Sequence, residues 1–130
     1  MIGRIFLSLV GVLYIALGIW CSVQPAKLSR KVGFELLGGS GQSEFQVVYG
    51  GLEFALGLVF LVPLLWKEYT GITLLSCLII HACLVAFRSA SLFQYSEIGS
   101  FTMSLYKGEC LLLLASAVVF WFSGGLAAKG

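Results

Sequence analysis

Ionisable side chains interrupt the apolar stretches of this 130-residue chain at Glu53, His81, Arg88, Lys107 and Glu109. A charged group inside hydrocarbon costs about 2.5–3.5 kcal/mol, so such groups usually pair with one another or line a wet cavity. The planar guanidinium of Arg88 can bridge two carboxylates, and we expect its partners to be Glu53 and Glu109. His81 can hydrogen-bond to either carboxylate, and a His–Glu set can also transfer protons as acid and base.

The composition around these groups is that of a membrane protein. Hydrophobic residues make up 59% of the chain and charged residues only 11%, with a mean hydropathy of +1.01. A soluble domain carries about a quarter charged residues, and it would have too little polar surface to cover a chain this apolar. The net charge of +2 and the absence of a basic run give no support to a nucleic-acid partner.

The apolar stretches have the length that a bilayer requires of a spanning helix. We expect an all-α fold, a four-transmembrane-helix bundle in a single integral membrane domain over residues 1–130, with both chain ends on one side. A cleaved signal peptide also fits the first stretch, but no small-x-small cleavage site follows it cleanly, so we expect a retained helix. The predicted helices cover about 3–22, 45–66, 70–88 and 101–123.

The connection between the first two helices predicts a short amphipathic segment. Pro25 suits a helix start, and the basic residues between Lys27 and Lys31 lie mostly opposite an apolar stripe. We expect this segment to lie at the membrane surface, although an ordered loop packed on the bundle fits the pattern equally well. A Gly-Gly-Ser-Gly run at residues 38–41 predicts a flexible elbow, and Ser43 predicts the N-cap of the second helix.

The topology places the ionisable groups at a common depth. The connections after the first and third helices lie on the same side of the membrane. Glu53 follows the first of these connections and Glu109 follows the other, whereas His81 precedes that other connection, each by about seven or eight residues. At 1.5 Å per residue this is a depth of roughly 10–12 Å in three separate helices. We therefore predict one site with a polar end and an apolar floor, suited to an amphiphile such as a lipid, a quinone or a sterol-like ring. Its predicted ligand-binding residues are Gln46, Tyr49, Glu53, His81, Arg88 and Glu109.

Other interpretations of the same groups stay open. A salt-bridge network that fixes the order of the helices needs no ligand, and a structural or accessory subunit of a larger membrane complex, or a homo-oligomer, fits the glycine-rich helices. A membrane isomerase or proton-coupled carrier would use Glu53 and His81 as acid and base, although the pattern leans away from an enzyme. No Glu-x-x-His or His-x-x-x-His spacing is present, so we predict no metal and no cofactor. Membrane lipids are the expected partners in each case.

The stretch Glu44-Phe-Gln-Val-Val-Tyr-Gly-Gly-Leu-Glu-Phe-Ala-Leu-Gly resembles the signature of an uncharacterised bacterial family of small four-helix membrane proteins. That family is catalogued only as a domain of unknown function, with the signature Glu-Phe-Arg-x-x-Tyr-Gly-Gly-Leu-x-x-x-x-Gly and a layout similar to that of DoxX-like proteins. Pro25, Arg88 and Glu109 extend the resemblance along the chain, whereas Gln46 stands where the family has Arg. The resemblance implies the fold and a multi-pass location in the bacterial inner membrane, and it carries no activity.

Positive-inside counting leaves the membrane orientation undecided. Arg4, Lys67 and Lys129 lie on the side of the chain ends. The opposite side has a similar number of basic residues once Arg88 and Lys107 are left out of the count because they can pair with the carboxylates inside the bundle.

Overall fold

The computed structural model describes residues 1–125, and every regular element in that part of the chain is helical. Four helical stretches there are long and apolar enough to cross a membrane, which confirms the predicted all-α fold with four spans. Lys129 and the rest of the tail lie outside the described residues. The elements are α1 (Ile2–Val23), α2 (Pro25–Lys31), α3 (Gly38–Phe45), a π-helical segment (Gln46–Leu52), α4 (Glu53–Leu65), a 3-10 turn (Lys67–Tyr69), α5 (Thr70–Gln94) and α6 (Ser100–Phe122).

The chain divides into two compact units. The central unit is Ser8–Leu61, and the terminal unit is Met1–Leu7 together with the chain from Val62 onward. Each unit is described by itself below. The predicted single domain over residues 1–130 stays a prediction.

Glycines bring α1 and the second span into close backbone contact within the central unit. A Cβ atom on Gly18 would lie 2.7 Å from the carbonyl oxygen of Gly50, and one on Gly57 would lie 2.7 Å from that of Gly11. The earlier glycine of α1, Gly11, meets the later glycine of the second span, Gly57, so the two helices run antiparallel. Small residues permit this approach. Gly51, next to Gly50, has no other element within 4 Å of its Cβ position.

The connection between the first two spans is more helical than predicted. α2 begins at Pro25 and buries Leu28 while its basic residues stay exposed, so the amphipathic segment is confirmed. The predicted elbow at residues 38–41 and the predicted cap at Ser43 are both wrong, because α3 begins at Gly38 and contains Ser43. Gly38 turns the chain with a φ of 59°. Once that turn is made the helix propagates, since each glycine in it costs only about 1 kcal/mol.

In the terminal unit, the side chain of Arg4 binds the end of α4. Its Nε donates to the carbonyl oxygen of Pro63 at 3.0 Å, and its Nη2 donates to that of Leu64 at 3.4 Å. These carbonyl groups belong to the last helical turn, where no intrahelical donor reaches them and where a positive charge is favourable. Arg4 therefore caps the second span.

Candidate functional site

Arg88 lies inside α5, because the helix runs on to Gln94 instead of ending at Arg88 as predicted. The residues between them include neither glycine nor proline, so nothing in the sequence breaks the helix there. A charged residue can end an apolar stretch without ending the helix that carries it. The guanidinium is thus mounted on a rigid element that packs against α6.

Arg88 and Glu109 form a two-point salt bridge between α5 and α6. Arg88 Nε lies 2.6 Å from Glu109 Oε2, and Nη2 lies 2.6 Å from Oε1. The two side chains are 26% and 15% exposed, so the pair is largely sheltered. Charge-assisted bonds in this parallel arrangement are about twice as strong as neutral hydrogen bonds and fix both planes. The predicted pairing of Arg88 with Glu109 is confirmed.

A neutral hydrogen bond stands next to the charged one. Ser89 Oγ lies 3.0 Å from the hydroxyl oxygen of Tyr106, which is one turn before Glu109 on α6. We call Arg88, Ser89, Tyr106 and Glu109 the α5–α6 clasp. Sequence reasoning missed Ser89 and Tyr106, because a hydroxyl pair carries no charge pattern. The only signal was their spacing from Arg88 and Glu109.

A depression of about 350 Å³ opens on α5 at Arg88, and we call it the α5 depression. Leu84 and Phe87 form its apolar wall and are 38% and 80% exposed. Arg88 and Ser91 form its polar end, and the Ser91 hydroxyl donates to the carbonyl oxygen of Arg88 at 2.8 Å. With Cys83, these residues follow a helical spacing that puts them on one stripe of α5. Of them, sequence reasoning had singled out only Arg88, since the others are ordinary residues of an apolar span.

His81 lies two turns before Arg88 on α5 and is fully buried. Its Nδ1 is 2.8 Å from the carbonyl oxygen of Cys77 and 3.5 Å from the Cys77 sulfur. A carbonyl oxygen can only accept, so Nδ1 carries a hydrogen and donates it to the backbone of its own helix. This nitrogen is therefore committed to Cys77, and the predicted bond to a carboxylate would have to use Nε2.

Three predicted site residues, Gln46, Tyr49 and Glu53, belong to the central unit. Tyr49 stacks on Phe45 with ring centroids 4.6 Å apart and an interplanar angle of 17°. Gln46 is exposed, and Glu53 is half-buried at the start of α4. That these three residues join the α5–α6 clasp in one site stays a prediction.

The π-helical segment Gln46–Leu52 is a feature that sequence reasoning missed. Its turns hold more residues than α-helical turns, and such segments frequently occur at functional sites. It spans the Tyr-Gly-Gly stretch and ends immediately before Glu53. The adjacent glycines, Gly50 and Gly51, were its only signal in the sequence.

Comparison with protein-family models, with curated proteins and with solved structures found no match to this chain. Function is therefore argued from the site itself. Within residues 1–125, no group of three His, Cys, Asp or Glu side chains is placed to hold a metal ion. The chemistry that the terminal unit offers is that of a neutralised guanidinium beside an apolar wall.

Proposed function

We propose that this multi-pass membrane protein binds an amphiphilic small molecule in the α5 depression. The head group would contact Arg88 and Ser91, and the apolar part would lie along Leu84 and Phe87. The observation that carries the proposal is the meeting of an apolar wall and a polar end on one stripe of a helix long enough to cross a membrane.

The size of the α5 depression supports a partly enclosed ligand. Its volume of about 350 Å³ is at the lower end of the range of roughly 300–1,000 Å³ for small-molecule sites. This accommodates a head group with the first part of a chain or ring. The remainder of the molecule would extend past the exposed Phe87 ring into the surrounding lipid.

The α5–α6 clasp would preorganise this site. Glu109 holds two nitrogens of the Arg88 guanidinium, so the side chain is fixed before a ligand binds. Less rotamer entropy is then lost on binding, which favours affinity. In this proposal the same residues both hold α5 against α6 and form part of the ligand site.

The test is native mass spectrometry of protein extracted with its lipids, comparing two substitutions on α5. Leu84→Trp narrows the α5 depression, whereas Ile79→Trp places the same ring at an exposed position outside it. We expect a bound amphiphile on the wild-type protein and on Ile79→Trp, and loss of that mass from Leu84→Trp. Equal retention in both variants, or no bound mass in any of the three proteins, would overturn the proposal.

A second candidate is an accessory subunit or a homo-oligomer, which the exposure of α6 favours. Only 6% of its apolar 18-residue stretch is buried, compared with 22–33% of the corresponding stretches in the other three spans. A helix with so much uncovered surface can accept a neighbouring helix as well as lipid. Purification in mild detergent should then retain a stable partner or a second copy, and a monomer alone would remove this candidate.

The cellular location is proposed on the resemblance of the Tyr49-Gly50-Gly51 stretch to the bacterial four-helix family. The four spans support an integral membrane protein. A bacterial inner membrane is the proposed location, and fractionation of cells that produce the tagged protein would test it.

A further inference from the structure

We infer that the head group bound in the α5 depression is uncharged and accepts hydrogen bonds, as an ester, ketone or quinone oxygen does, and is not a phosphate or carboxylate. This inference rests on the proposed function and names the class of amphiphile. It follows from the charge at the polar end of the depression.

Within the terminal unit, the positive charge of that polar end is paired with a carboxylate. Both oxygens of Glu109 lie 2.6 Å from nitrogens of Arg88, so the cation is neutralised before a ligand arrives. Over Thr70–Gln94, Arg88 is the only residue with a permanent charge. Lys107 is exposed on α6, and residues two positions apart on a helix face different ways, so it does not share the side of Glu109.

An anionic head would meet repulsion as well as attraction. Beside Arg88, its attraction to the guanidinium would be partly offset by repulsion from the Glu109 carboxylate behind it. The Ser91 hydrogen is directed to the Arg88 carbonyl, so the hydroxyl presents lone pairs instead of a donor. The free energy needed to take an anion out of water would therefore be compensated only in part.

A neutral acceptor avoids this penalty. Its desolvation is far less unfavourable than that of an anion. The partial negative charge of its oxygen is attracted by Arg88, which lines the α5 depression. The same logic admits a hydroxyl in the head group, because the Ser91 oxygen can accept from it.

The experiment compares two probes that differ only by a phosphate, monopalmitoylglycerol and its phosphate ester, palmitoyl lysophosphatidic acid. Each is titrated against the full-length protein in nanodiscs of zwitterionic phospholipid, and bound mass is counted by native mass spectrometry. We expect the uncharged probe to bind at least about tenfold more tightly, as a neutralised Arg88 requires. Equal affinities, or a preference for the phosphate, would overturn the inference and leave the proposed function standing. Binding of neither probe, with no co-purified amphiphile, would overturn both.

Glu109→Gln reverses the expected preference, because it restores the full positive charge of Arg88. Its affinity for the phosphate probe should rise at least about tenfold relative to its affinity for the uncharged probe. Glu68→Gln, which removes an exposed carboxylate from the 3-10 turn, is the matched control and should alter neither affinity. An unaltered preference in folded Glu109→Gln would contradict the inference. If that variant does not fold, the wild-type comparison alone decides.

Discussion

Gly18→Ala would test the close packing of α1 against the second span. The new methyl group would lie 2.7 Å from both the carbonyl oxygen of Gly50 and the backbone nitrogen of Phe54. Ordinary van der Waals contact begins at 3.4 Å, so the two backbones would have to separate by about 0.7 Å. Backbone atoms cannot rotate away as a side chain can. Overpacking of this kind costs about 1–3 kcal/mol, and we expect the free energy of unfolding to fall by that amount.

The assay is titration of the purified protein from mild detergent into SDS, followed by far-UV circular dichroism. Gly51→Ala is the matched control, since it makes the same change in the same region with no other element within 4 Å. It should leave the free energy of unfolding unchanged or raise it by up to about 1 kcal/mol, because glycine is a poor helix former. If the two variants agreed within about 0.5 kcal/mol, the inferred backbone contact would be wrong.

Three further experiments test other contacts by the same titration. A double-mutant cycle of Arg88→Gln and Glu109→Gln should give a coupling energy of about 1.5–3 kcal/mol, and a value near zero would contradict the two-point bridge. Arg4→Gln should lower the free energy of unfolding by about 0.3–1 kcal/mol, because the last carbonyl groups of α4 lose a cationic donor; wild-type stability would contradict this capping role. Tyr49→Leu should cost about 0.5–1.5 kcal/mol through loss of the stacking on Phe45, and a neutral result would count against that ring contact.

The spans were predictable because a membrane leaves the backbone few choices. Every buried peptide group in lipid must be paired internally, so a long apolar stretch is a helix. The predicted end of the third span, at Arg88, was too early, because the end of hydrophobicity was equated with the end of the helix. Glu109 neutralises that charge from α6, and the following residues to Gln94 are all compatible with a helix.

The details of the site were less predictable, because they depend on which faces of the helices meet. The sequence was enough to pair Arg88 with Glu109, because the two residues carry opposite charges and lie on the same side of the predicted bundle. It said nothing of Ser89 and Tyr106, whose hydroxyl groups can be satisfied in many places. The π-helical segment was equally hidden, because a hydrophobic pattern does not show where a helix takes in an extra residue.

The salt-bridge network and the ligand site need not be rival interpretations, and Tyr106→Phe separates them. This change removes the hydrogen bond between Tyr106 and Ser89 Oγ while leaving both bonds between Arg88 and Glu109. The free energy of unfolding should fall by about 0.5–1.5 kcal/mol, since one neutral hydrogen bond between α5 and α6 is lost. The preference for an uncharged head group should be retained, because the charge at the polar end of the depression is the same. A variant that lost this preference would show that the head group is selected by the alignment of the two helices and not by the neutralised guanidinium.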